Sequence, residues 1–214
     1  MRPVQYTYAP TASDADGIAL SQTPAGAGAI TLNGVLVTGG VAVMGAQQFV
    51  TITSAGNISD DTFTLVGTDF QGNSITEALT GPNATTVVST KSYKTVTSIT
   101  TSSAAAAALT IGVNGLGDAH AVPLDMYPNP FNVGIAVVIT GSPTYTVQHT
   151  FDNPFASSFD PSTATWFNHD DSGMVGATTN QNSNYSYGCR ASRVRMTAGS
   201  GATLVITYTQ AGLS

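Results

Sequence analysis

Along most of this chain, apolar residues alternate with Thr and Ser at a period of two. That spacing puts successive side chains on opposite faces of a strand, and helical periodicity is nearly absent. Phe49-Val50-Thr51-Ile52-Thr53 predicts a strand closed by Ser54-Ala55-Gly56-Asn57. Residues 62–68 and 74–80 predict a hairpin around Asp69-Phe70-Gln71-Gly72-Asn73. Residues 93–100 and 109–113 supply two more strands. Near the start, Asn33-Gly34 predicts a tight turn with Val35-Leu36-Val37 as the return strand. Later, residues 134–140 and 144–151 flank the turn Gly141-Ser142-Pro143. The last hairpin is expected to pair residues 189–196 with 202–209 across Thr197-Ala198-Gly199-Ser200-Gly201.

Short strands punctuated by Gly, Asn and Pro predict an all-β protein. The expected architecture is two consecutive β-sandwich domains, Ig-like or jelly-roll-like, with an extended N-terminal arm. Residues 1–45 form the arm or hairpin packing on the first domain, 46–114 the first sandwich, and 115–214 the second. The stretch 152–184, rich in Asp, Asn, Ser and Gly, reads as a long loop of the kind that carries function or is ordered by a partner. With 214 residues, each half can bury a core without metal or disulfide.

Composition sharpens this picture. Charged residues make up 8% of the chain against the roughly 25% of ordinary globular domains, while hydrophobic residues hold a usual 42%. Thr, Ser, Asn and Gln supply the polarity instead. Such a surface is hydrated yet carries few charges to repel a neighbouring subunit. The net charge of −6 and pI near 4.6 argue against a nucleic-acid partner, which needs a basic face. No Lys or Arg lies between Arg2 and Lys91 or between Lys94 and Arg190. No stretch approaches the about eighteen apolar residues of a membrane span, and the N-terminus has no apolar run like that of a signal peptide. Synthesis in the cytoplasm is therefore expected. The lone Cys189 excludes an intrachain disulfide and reads as a small buried filler.

Candidate chemistry is sparse. Ser142, His149 and Asp152 are near in sequence, but none sits on a nucleophile elbow, and His149 alternates with Tyr145 and Val147, facing the core or a subunit contact. His169-Asp170-Asp171 has oxygens for a hard cation but matches no calcium-loop spacing. Asp14-Ala15-Asp16-Gly17 lacks the acidic ligand that would follow and reads as a turn. A glycosidase needs two placed carboxylates, and Glu77 is the single Glu, on a strand. No catalytic, cofactor or metal site is expected, so the chain is read as a non-enzyme. Interface residues are another matter. Tyr6, Tyr8, Trp166, Phe167, Tyr185, Tyr187, Arg190, Arg193 and Arg195 are of types enriched at binding hot spots. On a strand, Arg193 and Arg195 share a face with Cys189 and Ala191 while Arg190 points away. That pair suits either a partner's carboxylates or the charge defence of an exposed edge. Trp166 is also placed to stack a sugar ring.

The strings Val50-Thr51-Ile52-Thr53-Ser54-Ala55-Gly56-Asn57, Thr62 to Asn73, Ser74 to Asn83 and Ser89 to Ile99 resemble a module common in tailed-bacteriophage structural proteins. Val122-Pro123-Leu124-Asp125, Asn129-Pro130-Phe131-Asn132-Val133-Gly134 and Tyr145 to Phe155 are similar to such proteins too. The resemblance implies a virion protein, either a capsid decoration (cement) protein or a tail, connector or fibre-base part. It implies the major capsid protein or other virion proteins as partners and a homo-oligomer, dimer or trimer. It transfers no site residues.

Overall fold

The computed structural model describes residues 3–157 and 159–210. It is all-β, as the alternation requires. β1 (Val4–Tyr8) opens the chain, followed by β2 (Asp14–Gln22), β3 (Gly28–Ala29), β4 (Val37–Thr38) and β5 (Val41–Ser54). Next come β6 (Thr62–Thr68), β7 (Ser74–Thr80), β8 (Thr86–Thr101) and β9 (Leu109–Val113). β10 (Gly117–Asp118), β11 (Val122–Pro123), β12 (Val133–Thr140) and β13 (Thr144–Thr150) continue it. β14 (Phe167–Asn168), β15 (Gln181–Tyr185), β16 (Ala191–Ala198) and β17 (Thr203–Gln210) complete the described strands. Two compact units result, one of Pro10–Gly117 and one of Met1–Ala9 with Asp118–Ser214.

The unit of residues 10–117 is built on one antiparallel sheet in the order β2-β9-β5-β8-β6-β7, with β3 added to β8 and β4 to β5. β6 and β7 pair from Thr62↔Thr80 to Thr68↔Ser74, the hairpin the sequence predicts. Register shifts in β5 against β8 and in β6 against β8 mark bulges, which bend and twist long strands. The bend lets Ile18 of β2, Ile52 of β5, Phe63 and Leu65 of β6 and Ile99 of β8 share one core. Gly67 sits at the β6 bulge because a Cβ there would lie 2.0 Å from the Thr95 carbonyl oxygen. Glu77 caps the irregular part of β8, accepting from the Thr90 N–H at 2.7 Å and the Lys91 N–H at 3.2 Å.

The other unit has two sheets, β1-β17-β12-β15 and β10-β16-β13-β14, with β11 paired to β16. They meet at Ser192 of β16. Its Oγ accepts from Tyr208 of β17 at 3.1 Å, lies 3.2 Å from the Tyr185 hydroxyl of β15, and donates to the Gln148 carbonyl at 3.0 Å. Val133, Ile135, Val137, Leu204 and Ile206 fill one inner face; Tyr145, Val147, Val194 and Met196 fill the other. The arrangement is sandwich-like.

Three expectations change. Residues 4–8 do not form an arm on the first domain; β1 pairs with β17 from Val4↔Tyr208 to Tyr8↔Leu204, burying Tyr8. Most of the remaining supposed arm is integral to the unit of residues 10–117, where β2 pairs β9. The division between the units, between Gly117 and Asp118, lies three residues from the expected one. Asn33-Gly34 does not turn the hairpin. Gly39-Gly40, with φ of 61° and 82°, links β4 to β5, and both values suit a type I′ turn. Gly34 is instead a point of close approach, where a Cβ would come within 2.3 Å of Gly17 backbone. Finally, β16 and β17 are not hairpin partners. β16 pairs β13 and β17 pairs β12, so the chain changes sheets between them.

Candidate functional site

β13 and β16 set two different surfaces. Their register places Gln148 opposite Arg193, Thr146 opposite Arg195 and His149 opposite Ser192. One parity therefore points into the core and the other away from it. β14 extends both rows, with Asn168 opposite Gln148 and Phe167 opposite His149.

The outward row is a polar ladder. Gln148 Nε2 donates to Asn168 Oδ1 at 3.1 Å, and Arg193 Nε donates to Gln148 Oε1 at 3.0 Å. Arg193 Nη1 then donates to Asp118 Oδ2 at 3.2 Å. Arg195 grips the same carboxylate with two donors, Nε to Oδ1 at 2.6 Å and Nη2 to Oδ2 at 2.9 Å. Trp166 lies over Arg193, the guanidinium carbon 4.1 Å from the ring centroid. Burial lowers Arg193 to about 10, although Asp118 opposes the shift; hydrogen bonding to Asp118 raises Arg195. Both guanidinium groups are thus answered within the chain. The acid that answers them, Asp118, lies 75 residues or more away in sequence, and nothing local to Arg193 or Arg195 announces it.

At the β14 end the inner row continues into an aromatic cluster. His149 is buried, its ring 5.4 Å from Tyr185, 5.6 Å from Tyr187, 5.5 Å from Phe151 and 5.9 Å from Phe167. His169, also buried, lies 4.4 Å from Tyr185. Desolvation lowers both histidines below their ordinary value, so both are neutral at pH 7; Asp170 and, for His169, Asp171 pull the other way. The Tyr187 hydroxyl, pushed up to about 12 chiefly by burial and further by the nearby Asp170 carboxylate, is 3.1 Å from His149 Nε2. His149 Nδ1 is buried with no hydrogen-bond partner, and His169 Nε2 has none either. Above this layer Phe151 is 54% exposed and Phe167 48%, their centroids 5.9 Å apart.

The predicted interface residues consequently divide. Tyr8 and Tyr185 are core residues, and the Tyr6 ring lies tilted against His120, centroids 3.8 Å apart, while its hydroxyl donates to the His120 carbonyl at 3.0 Å. Arg193, Arg195 and Trp166 form the outward ladder. Phe167 and the half-buried Tyr187 belong to the aromatic patch. Arg190 is exposed beside a cleft of about 290 Å³ lined by Leu124, Asp125, Met126 and Tyr127. Phe151, on the same strand parity as His149, had the right signal and is the patch residue the interface reading passed over.

His149 is engaged by Tyr187, and Asp152 Oδ2 accepts from the Thr165 N–H at 2.7 Å. Asp171 caps the short turn Ser172–Met174 through the Gly173 N–H at 2.9 Å, and Asp160 caps Pro161–Thr163 in the same way. Among the described residues no group of three or more His, Cys, Asp or Glu could hold a metal ion. Cys189 is buried, and desolvation raises its thiol to about 12. No helix among the described residues is long and apolar enough to cross a membrane.

No family model fits the chain, and no curated protein is similar to it. Function must therefore be argued from the surfaces themselves.

Proposed function

We propose that this chain is a non-catalytic structural protein of a tailed-bacteriophage particle, a decoration (cement) subunit that docks on the outer capsid surface and stabilises the shell. The observation that carries the docking part is the patch of Phe151 and Phe167, two neighbouring aromatic rings each about half exposed on a chain with few charges. Exposed aromatic clusters of this kind lose water favourably against a partner. The resemblance of residues 50–100 supports the phage assignment, and the partners are then the major capsid protein or other virion proteins. Assembly as a dimer or trimer multiplies weak contacts over a symmetric lattice.

The decisive measurement is gel densitometry of purified virions against the major capsid band. Decoration expects hundreds of copies per particle, by lattice symmetry. About six or twelve copies would move the protein to the tail, connector or fibre base, where the same fold serves. A Phe151→Ser/Phe167→Ser chain should fold and fail to enter particles; normal incorporation would remove the patch from the docking role. A glycan-binding role through Trp166 is weakened by Arg193, whose guanidinium covers one face of the indole.

A further inference from the structure

The aromatic patch has a carboxylate beside it and almost no cation of its own chain to meet it. Asp170 is exposed and follows directly on β14, two residues beyond Asn168, near enough to act on both Tyr187 and His149, and the Tyr187 ring stacks with Phe151 at 6.2 Å. Phe151, Phe167 and Tyr187 thus stand together as a group of ring faces and edges, with Asp170 at its border and Asp152, next to Phe151, held by the Thr165 N–H. Ring faces attract cations through the quadrupole, and an adjacent carboxylate adds a full charge. The neighbouring histidine beneath, His149, is uncharged at neutral pH and adds no opposing charge.

The chain's own cations are engaged elsewhere. Lys94 donates to the Met44 and Gly45 carbonyls at 2.6 and 2.7 Å, and Lys91 to the Thr76 carbonyl at 3.0 Å. Arg193 and Arg195 hold Asp118. Of the described Lys and Arg side chains, Arg190 is the exception, exposed beside Met126 and Tyr127. A net charge of −6 leaves this surface complementary to a basic partner rather than to itself.

We infer that Phe151, Phe167, Tyr187 and Asp170 form a docking site for an arginine- or lysine-bearing segment of a different protein, the cation seated against the aromatic rings and beside the carboxylate. The inference rests on the docking reading above and names the chemistry of its partner.

The test is an NMR titration of the full chain with the peptide acetyl-Gly-Arg-Gly-amide and with its uncharged analogue carrying citrulline in place of Arg. The Arg peptide should shift the Phe151 and Phe167 ring protons and bind about fivefold tighter than the citrulline peptide. Asp170→Asn should remove that ratio, whereas Asp60→Asn, an exposed acid of the other unit, should leave it unchanged. Equal binding of both peptides, no ring shifts, or a ratio that survives Asp170→Asn overturns the inference. So does a dimer in sedimentation that Arg190→Gln abolishes together with protection of the patch, since a second copy would then be the occupant. If charge-dependent binding fails while Phe151→Ser/Phe167→Ser still blocks incorporation, only the cation is wrong. If it succeeds while purified virions lack the protein, the particle reading falls and the site stands.

Discussion

The two units reach a folded state by different means. The unit of residues 10–117 packs a core of Ile, Val, Leu, Met and Ala around Phe63 and Tyr93, and its sequence contains no histidine. The other unit buries Tyr8, Tyr145, Tyr185 and Tyr208, seats Ser192 where its two sheets meet, and contains all three histidines. Burial of apolar area stabilises both units. Each also buries polar groups, Gln48, Asp61 and Asp69 among them in the first and Asp118, His149 and Ser192 in the second, and each unmade bond costs the full desolvation of its group. The buried imidazoles lie in the second.

Removing Phe63, wholly buried in the aliphatic core, should show the largest effect. Phe63→Ala is expected to cost about 4 kcal/mol, and the loss should be equal at pH 7.5 and 5.5 in denaturant melts. A pH-dependent loss would blur the distinction between the units. Asp118→Ala comes next. It strands two largely buried guanidinium groups, with side chains 14% and 31% exposed, and should cost about 3 kcal/mol. Trp166, the single Trp, reports that unit by fluorescence and should change its emission in the same variant. Ser192→Ala should cost about 2 kcal/mol, because the Tyr185 and Tyr208 hydroxyls both lose their shared partner.

A milder effect separates the units by pH. Burial lowers His120, His149 and His169 in the folded protein, so the unfolded chain binds protons more readily. Their contribution is fully present above the ordinary value of 6.5 and is lost as pH falls below it toward the folded values. Hydrogen exchange of β12 and β16 amides, corrected for intrinsic rates, should therefore quicken from pH 7.5 to 5.5 while β5 and β8 stay level. His169→Gln should flatten that response in part; an unchanged response would relieve His169 of the role. Arg190→Ala, at an exposed side chain, should leave the unfolding midpoint where it was.

The local alternation of polar and apolar residues determined much of this molecule. Residues 62–68 and 74–80 were legible as a hairpin because their pattern and turn are contiguous. The opposed faces of β13 and β16, which put His149 inside and Arg193 outside, follow from a period of two. Strand choice of partner did not follow. β16 and β17 are adjacent in sequence yet lie in different sheets, and β1 crosses the length of the chain to pair with β17. Asp118 meets Arg195 across 77 residues, and Phe151 meets Phe167 only because β14 returns to β13. Side-chain direction is a property of neighbouring backbone bonds. Pairing is decided by which distant strands together exclude water and satisfy their polar groups, and that balance exists only once the whole fold is formed.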